Sequence, residues 1–435
     1  RLYYGTTVAA AMDASALAEG SEIYVGAKGT FAKPGASLAY FKGAIRTVLS
    51  ETEDGLVGTQ AASGEPGGYC PHCGEQVVWK AFSLTDSLIQ NCLEDSSTDT
   101  DPACTGRHIA TGHYYMGSSL TGFKQQYVGV YQNLANVQDV VIDMAGYSIT
   151  ATHRAFYTYS ESAADAAKSH LTVLDSYGGS KITGSGADNQ PGGVIYNENS
   201  KLTIYGGTYI YKPVEGRNIT GGGVILNGQE FNLHGGTFDG SAFTYTDAST
   251  DAKTYTYNGG VLKQYGGSKY TFNMTAGRMI GGNVQTGGCA YFDYNNKVNI
   301  TGGQFVGGIA NTGSGGCIRI YGTSSNDDAK LTMSGASVRD GRVAVTGAGG
   351  GNLVLSYASA DISNTYITGG YAAAYGGNIL AGSVVTANFT DCIIEGGYAA
   401  AQSGNVHIAA TNVTSVWDNC QFLNGSATSG GNLTS

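Results

Sequence analysis

A pair of glycines returns along most of this chain at nearly constant spacing, and that spacing limits the available folds more than any other feature. The second glycine of each pair gives a series of marks at Gly193, Gly223, Gly260, Gly288, Gly316, Gly351, Gly377, Gly404 and Gly431, separated by 30, 37, 28, 28, 35, 26, 27 and 27 residues. Recurrence close to a fixed minimum, with occasional insertions, is a structural period. Between marks, apolar and polar residues alternate in short runs such as Leu202-Thr203-Ile204-Tyr205, Phe231-Asn232-Leu233-His234 and Leu331-Thr332-Met333-Ser334. That alternation is the signature of strands. Further glycine pairs follow these runs (Gly206-Gly207, Gly235-Gly236, Gly302-Gly303) and mark turns. Three short strands with three turns fill about 27 residues, and one such coil cannot bury its own apolar side, so coils must stack. The expectation is an all-β protein, a right-handed parallel β-helix, preceded by an irregular cysteine-containing cap region.

Aligning the marks predicts what the interior holds. The residue after each mark runs Val194, Val224, Val261, Cys289, Cys317, Asn352, Asn378, Asn405, Asn432, a column that changes type only twice. Asparagines stacked at roughly 4.8 Å per layer can hydrogen-bond amide to amide, which would keep a buried polar column satisfied. A second column aligns Thr365, Cys392 and Cys420, and its outer neighbours Asn364, Asp391 and Asn419 are turn formers. The spacing places Cys289 beside Cys317 and Cys392 beside Cys420. Stacked strands bring such pairs within disulfide range, but parallel side chains in register strain the required dihedral, so reduced ladders are expected.

Composition narrows the function classes. Charged residues make up 13% of the chain against an ordinary ~25%, and the net charge is −10. Nucleic acid is therefore an unsuitable partner, since phosphate neutralisation needs clustered Lys and Arg. No run of about 18 apolar residues offers a membrane span. Thirty tyrosines beside few lysines suit an extracellular surface facing sugars or protein. The chain starts at Arg1 without a cationic, apolar leader, which suggests either a removed signal segment or a piece of a longer chain.

Three regions follow from this reading: an N-terminal arm and irregular region at 1–68, a Cys/His-containing cap at 69–133, and the β-helix at 134–435. In the first, Leu2–Val8 reads as a lone strand and Ala9–Ala18 as a weak helix candidate. The second holds the densest chemistry: Cys70-Pro71-His72-Cys73-Gly74, Trp79, Cys92, Cys104, His108 and His113. Cys-Pro-x-Cys-Gly has the shape of a zinc knuckle, in which the turn aims two thiolates at one metal. The later spacing departs from a zinc ribbon, so zinc and a disulfide-stapled cap both remain open. Glu94, Asp95, Asp99 and Asp101 between Cys92 and Cys104 read as a solvated acidic loop, lacking the regular alternation of a calcium loop.

From Gly112 onward, Gly-His-Tyr-Tyr-Met at 112–116, Val140–Thr150 and Leu-Thr-Ile-Tyr-Gly-Gly-Thr at 202–208 resemble the opening of β-helix domains in large surface proteins of anaerobic Gram-positive bacteria. In those domains a cysteine pair and a tryptophan precede a Gly-His-Tyr-Tyr segment, as Cys70, Cys73 and Trp79 precede His113 here. The resemblance covers roughly 70–435 and implies deployment at the cell surface or outside the cell, and it brings no catalytic residues. Relative to that pattern, Cys92, Cys104 and the acidic loop look like an insertion. The resemblance thus implies a private Cys92–Cys104 disulfide and leaves Cys70, Cys73 and His113 as the ligands of a structural zinc, the one cofactor suggested.

Parallel β-helices also serve as polysaccharide lyases and hydrolases, which need converging carboxylates beside a basic residue. Arg319, Asp327, Asp328, Lys330, Arg339, Asp340 and Arg342 fall at different phases of the repeat, and no catalytic set is expected. His234 and His407 read as hydrogen-bonded strand residues. The sequons at Asn218, Asn273, Asn299, Asn388, Asn412, Asn424 and Asn432 arise readily in Asn- and Thr-rich coils. The expected role is a non-catalytic extracellular structural protein, an adhesin stalk or filament subunit whose partners are other copies of itself, glycans or surface proteins. Head-to-tail assembly would place Arg1, Leu2, Tyr3, Tyr4 and Val8 of one copy against the coil ending at Asn432 and Leu433 of the next. A sugar-cleaving β-helix enzyme is the rival class.

Overall fold

The computed structural model describes residues 70–435 except 71, 75–76, 83–88, 91–107, 124, 131–137, 161–168, 187–189, 215–218, 245–257, 265–269, 295, 323–328, 384, 410–411 and 435. Before residue 70 it describes only the backbone of four strands, Glu22–Val25, Phe31–Ala32, Ile45–Thr52 and Gly55–Thr59, paired antiparallel in one small sheet. The strand and helix expected at 2–18, and with them the proposed assembly arm, lie outside the described residues.

From Trp79 onward the chain is a right-handed parallel β-helix. Two long sheets of 23 and 15 strands, parallel except where Ile89–Gln90 meets His108–Ile109, run along the coils. The larger one is built from two successive strands of each coil. In the first of these, Phe156, Ile195, Ile225, Leu262, Ala290, Ile318, Leu353, Ile379 and Val406 stack in register. In the second, Val140, Leu171, Leu202, Phe231, Phe272, Val298 and Leu331 do so. The 15-strand sheet adds Ile149, Ile182, Tyr209, Phe238, Met279, Phe305 and Val338 from the third strand. All of these side chains are buried, and they form one continuous core.

The marking glycines close each coil against the next. A β-carbon on Gly288 would lie 2.2 Å from the carbonyl oxygen of Gly316, and one on Gly316 would lie 2.3 Å from that of Gly351. The first glycine of the pair instead supplies the left-handed turn, with φ of 66° at Gly287 and 78° at Gly315.

The region expected to be a separate cap at 69–133 is partly solenoid. Trp79–Ala81 pairs parallel and in register with His113–Tyr115, and Gly112–Tyr115 pairs with Val140–Asp143. The division expected at 133/134 is therefore not a break in the sheet. Alternation of apolar residues cannot locate this start, because the first rungs are buried on both faces: Val140, Val141, Ile142 and Asp143 are all inaccessible.

Candidate functional site

The outer face of the first rungs is where chemistry gathers. A turn at Cys70–Gly74 is closed by the Gly74 amide donating to the Cys70 carbonyl at 2.8 Å, and the Cys73 amide points at Cys70 Sγ from 3.5 Å. Gly74 takes φ 75°, a left-handed conformation that suits the residue closing this turn. Cys70 is fully buried against Val141, Leu174 and Tyr205, with Val77 and Trp79 at the edge of this small cluster. These contacts explain why Val141 and Leu174 are apolar on a face that farther along the rod carries polar side chains.

His113 projects from the neighbouring rung. Its Nε2 stands 3.9 Å from Cys73 Sγ, and its ring meets the Trp79 ring edge-on at 5.4 Å. The donor atoms of Cys70, Cys73 and His113 all lie within 4.8 Å of one another, and this is the one such three-residue group among the described residues. Burial pushes the Cys70 thiol up to about 12. Burial also lowers the His113 pKa, while the Asp139 carboxylate pulls the other way. Asp139 Oδ1 is buried and faces His170 Nδ1 at 3.5 Å. Cys92 and Cys104, the expected private disulfide, lie outside the described residues.

A belt of histidines continues from this cluster. His72 meets the Tyr205 hydroxyl at 3.1 Å and the His170 ring at 5.2 Å, and Tyr205 stacks on His234 at 4.7 Å. Burial holds the pKa of His72 at about 4 and that of His170 at about 3, and the charge of Lys201 acts in the same direction. His234, expected as a hydrogen-bonded strand histidine, bonds Thr275 at 3.1 Å. His407 contacts Ser403 at 3.2 Å and stacks on Tyr375.

The ladders occupy the interior. Nδ2 of Asn352, Asn378 and Asn405 donates to Oδ1 of the next asparagine at 2.7 Å each, ending on Asn432. Each Nδ2 also donates to a carbonyl, of Thr368, Glu395 and Leu423 respectively. Each Oδ1 accepts a backbone amide, from Gly341, Gly370 and Gly397. Two donations and two acceptances exhaust the capacity of a primary amide. The Cys317 thiol contacts Asn352 Oδ1 at 3.5 Å, joining the cysteine and asparagine stretches of the column. Cys289, Cys317, Cys392 and Cys420 are free thiols. In the second column Thr365, Cys392 and Cys420 each donate to the carbonyl two residues back, and Asn364, Asp391 and Asn419 all take positive φ.

Sequence reasoning missed two further columns. Inside, Thr158, Asn197, Asn227, Gln264 and Asn296 form a continuous buried hydrogen-bonded chain. Outside, Lys263, Tyr291 and Arg319 share one register on three successive rungs. The Tyr291 hydroxyl contacts Asp293 at 3.1 Å, and the Arg319 guanidinium lies 5.0 Å from the Tyr321 ring centre. Burial raises the Asp293 pKa despite Lys263 and Arg319 nearby. Lys263, Tyr291 and Arg319 each stand three past a mark, and Asn197, Asn227 and Gln264 four past, which was the available signal; Thr158 and Asn296 lie off that phase. Of the other charged candidates, Asp327 and Asp328 lie outside the described residues. Arg339 pairs with Asp340 at 2.6 Å on the surface, and Arg342 stacks over Tyr371 at 4.6 Å on the other sheet. The structure does not bring these residues together with Arg319. Asn273 and Asn299, sequons by sequence, use their amides in an outward ladder with Asn232.

Comparison with known protein families, curated proteins and solved structures yields no match.

Proposed function

We propose that this chain is a non-catalytic structural rod, deployed outside the cell or on its surface as a stalk or a filament segment. The observation that supports this most is the saturated interior: the asparagine column spends its full hydrogen-bonding capacity on holding coil to coil, which specifies a stiff, regular stack. Carboxylates do not gather among the described residues into a group of three that could hold calcium. The Lys263, Tyr291, Asp293 and Arg319 cluster is what favours the rival reading, an enzyme or binder of acidic sugars. It supplies one carboxylate where a glycoside hydrolase uses two.

The test pairs imaging with turnover. Single particles should be straight rods, and pectin, alginate and mucin glycans incubated with the protein and calcium should release no new reducing ends or unsaturated products. Turnover that disappears in an Arg319→Ala variant would replace the structural reading with the enzymatic one.

A further inference from the structure

We propose that Cys70, Cys73 and His113 hold one zinc-class divalent ion, and that this ion fastens the 70–82 segment across the outer face of the first rungs. The proposal is independent of the rod reading and asks what joins two segments 40 residues apart in the chain.

Geometry supports a metal. Zinc bonds sulfur at about 2.3 Å and imidazole nitrogen at about 2.0–2.1 Å, so ligand atoms around a tetrahedral ion stand roughly 3.5–3.8 Å apart. Cys73 Sγ and His113 Nε2 at 3.9 Å are already close to that separation. All three donors come within 4.8 Å of one another, so small side-chain shifts bring them to bonding distance of one ion, whose fourth position faces the exposed Cys73 side. Cys70 and Cys73 are both free thiols, as ligation requires. The Cys73 amide directed at Cys70 Sγ is the kind of outer contact that stabilises a bound thiolate. Burial differs across the set: Cys70 is enclosed, His113 half-buried and Cys73 exposed, which gives an ion a solvent route to the site.

The ion would anchor the turn over Val141, Leu174 and Tyr205, an apolar patch that Cys70, Val77 and Trp79 pack against.

The experiment uses the full chain, purified under reducing conditions after growth with zinc. Elemental analysis should find about one zinc per chain, falling to near none in Cys73→Ser and in His113→Gln. Cobalt substituted for zinc should show thiolate charge-transfer absorption that is lost in Cys73→Ser. Because Cys73 is exposed, its replacement leaves the core intact, and an unchanged far-UV circular dichroism spectrum would verify this. Thiol mapping on the unaltered chain gives a second readout: zinc should shield Cys70 and Cys73 from alkylation, and a chelator should remove the shield. Zinc that persists in both variants but disappears from a Cys92→Ser, Cys104→Ser double variant would overturn the assignment. So would a zinc-supplemented wild type that carries no metal, or a Cys70–Cys73 disulfide in the isolated protein.

Discussion

Replacing Asn378 by alanine tests whether the asparagine column acts as an energetic unit. The substitution removes the acceptor of Asn352 Nδ2 and that of the Gly370 amide. It also takes one donor each from Asn405 Oδ1 and the Glu395 carbonyl, which keep the amides of Gly397 and Gly369. Two buried donors are thus left unpaired, at about 1–3 kcal/mol each, while the half-satisfied acceptors cost less, so the expected loss is about 2–6 kcal/mol. Asn432→Ala is the control: it breaks the same two kinds of bond, to Asn405 and to Gly425, at an exposed rung where water can replace them. Its expected loss is about 1 kcal/mol or less. Urea unfolding followed by Trp417 fluorescence, in a Trp79→Phe background, reads the relevant rungs, because Trp417 stacks on Phe389 at 3.9 Å. Solenoid stability is a sum of neighbour terms, so the loss should be confined to this end of the rod. If Asn378→Ala costs no more than Asn432→Ala, the column is not held by its hydrogen bonds and the stiffness argument loses its basis.

Two other outcomes follow from the packing. Gly288→Ala should exceed the ~1–3 kcal/mol of ordinary overpacking, because its β-carbon meets backbone rather than a yielding side chain. Gly307→Ala, with nothing within 4 Å of the added carbon but φ at 68°, should cost only the ~1–2 kcal/mol of a left-handed residue, and thermal melts would rank the pair. Among the described thiols of chelator-treated protein, native alkylation should label Cys73 first, because burial raises the pKa of Cys317 and lifts that of Cys392 to about 11. Mass analysis after denaturation without reductant should then find Cys289, Cys317, Cys392 and Cys420 all labelled.

What the sequence made legible was whatever repeats. The asparagine column and the turn residues Asn364, Asp391 and Asn419 each recur at one phase, and a fixed phase in a solenoid is a fixed place in space. The knuckle at Cys70–Gly74 was legible as a motif, but its seat was not. Which face it covers depends on contacts with Val141, Leu174 and Tyr205, residues 71 to 135 positions away whose apolar character has no local cause. His113 entered the candidate set through resemblance, and the parallel pairing of Trp79 with His113 supplies the physical reason for its position.

The two interior polar columns have a relation that neither shows alone. In the coils after Gly193, Gly223 and Gly260, the position one past the mark is valine and the position four past it is Asn197, Asn227 or Gln264. In the coils after Gly351, Gly377 and Gly404 the order is reversed: Asn352, Asn378 and Asn405 stand one past the mark, with Leu355, Ala381 and Ile408 four past it. Each such coil carries one buried amide, and the two stretches place it at different corners of the same cross-section. Between them, the coils of Cys289 and Cys317 carry no amide at either position, with Phe292 and Ile320 four past the mark. Along each ladder an amide bonds the amide of the adjacent coil, and the first ladder ends where Gln264 donates to Asn296, a buried amide of the Cys289 coil that stands eight past its mark. A thiol tolerates both neighbours, since it packs as a small apolar group and still contacts Asn352 Oδ1. The cysteine coils therefore act as the joint at which one ladder stops and the other starts, and a slip of one coil in stacking would set amides against valine or leucine. Register along the rod is thus specified by the interior, with the apolar core supplying most of the stability and the amides supplying the address.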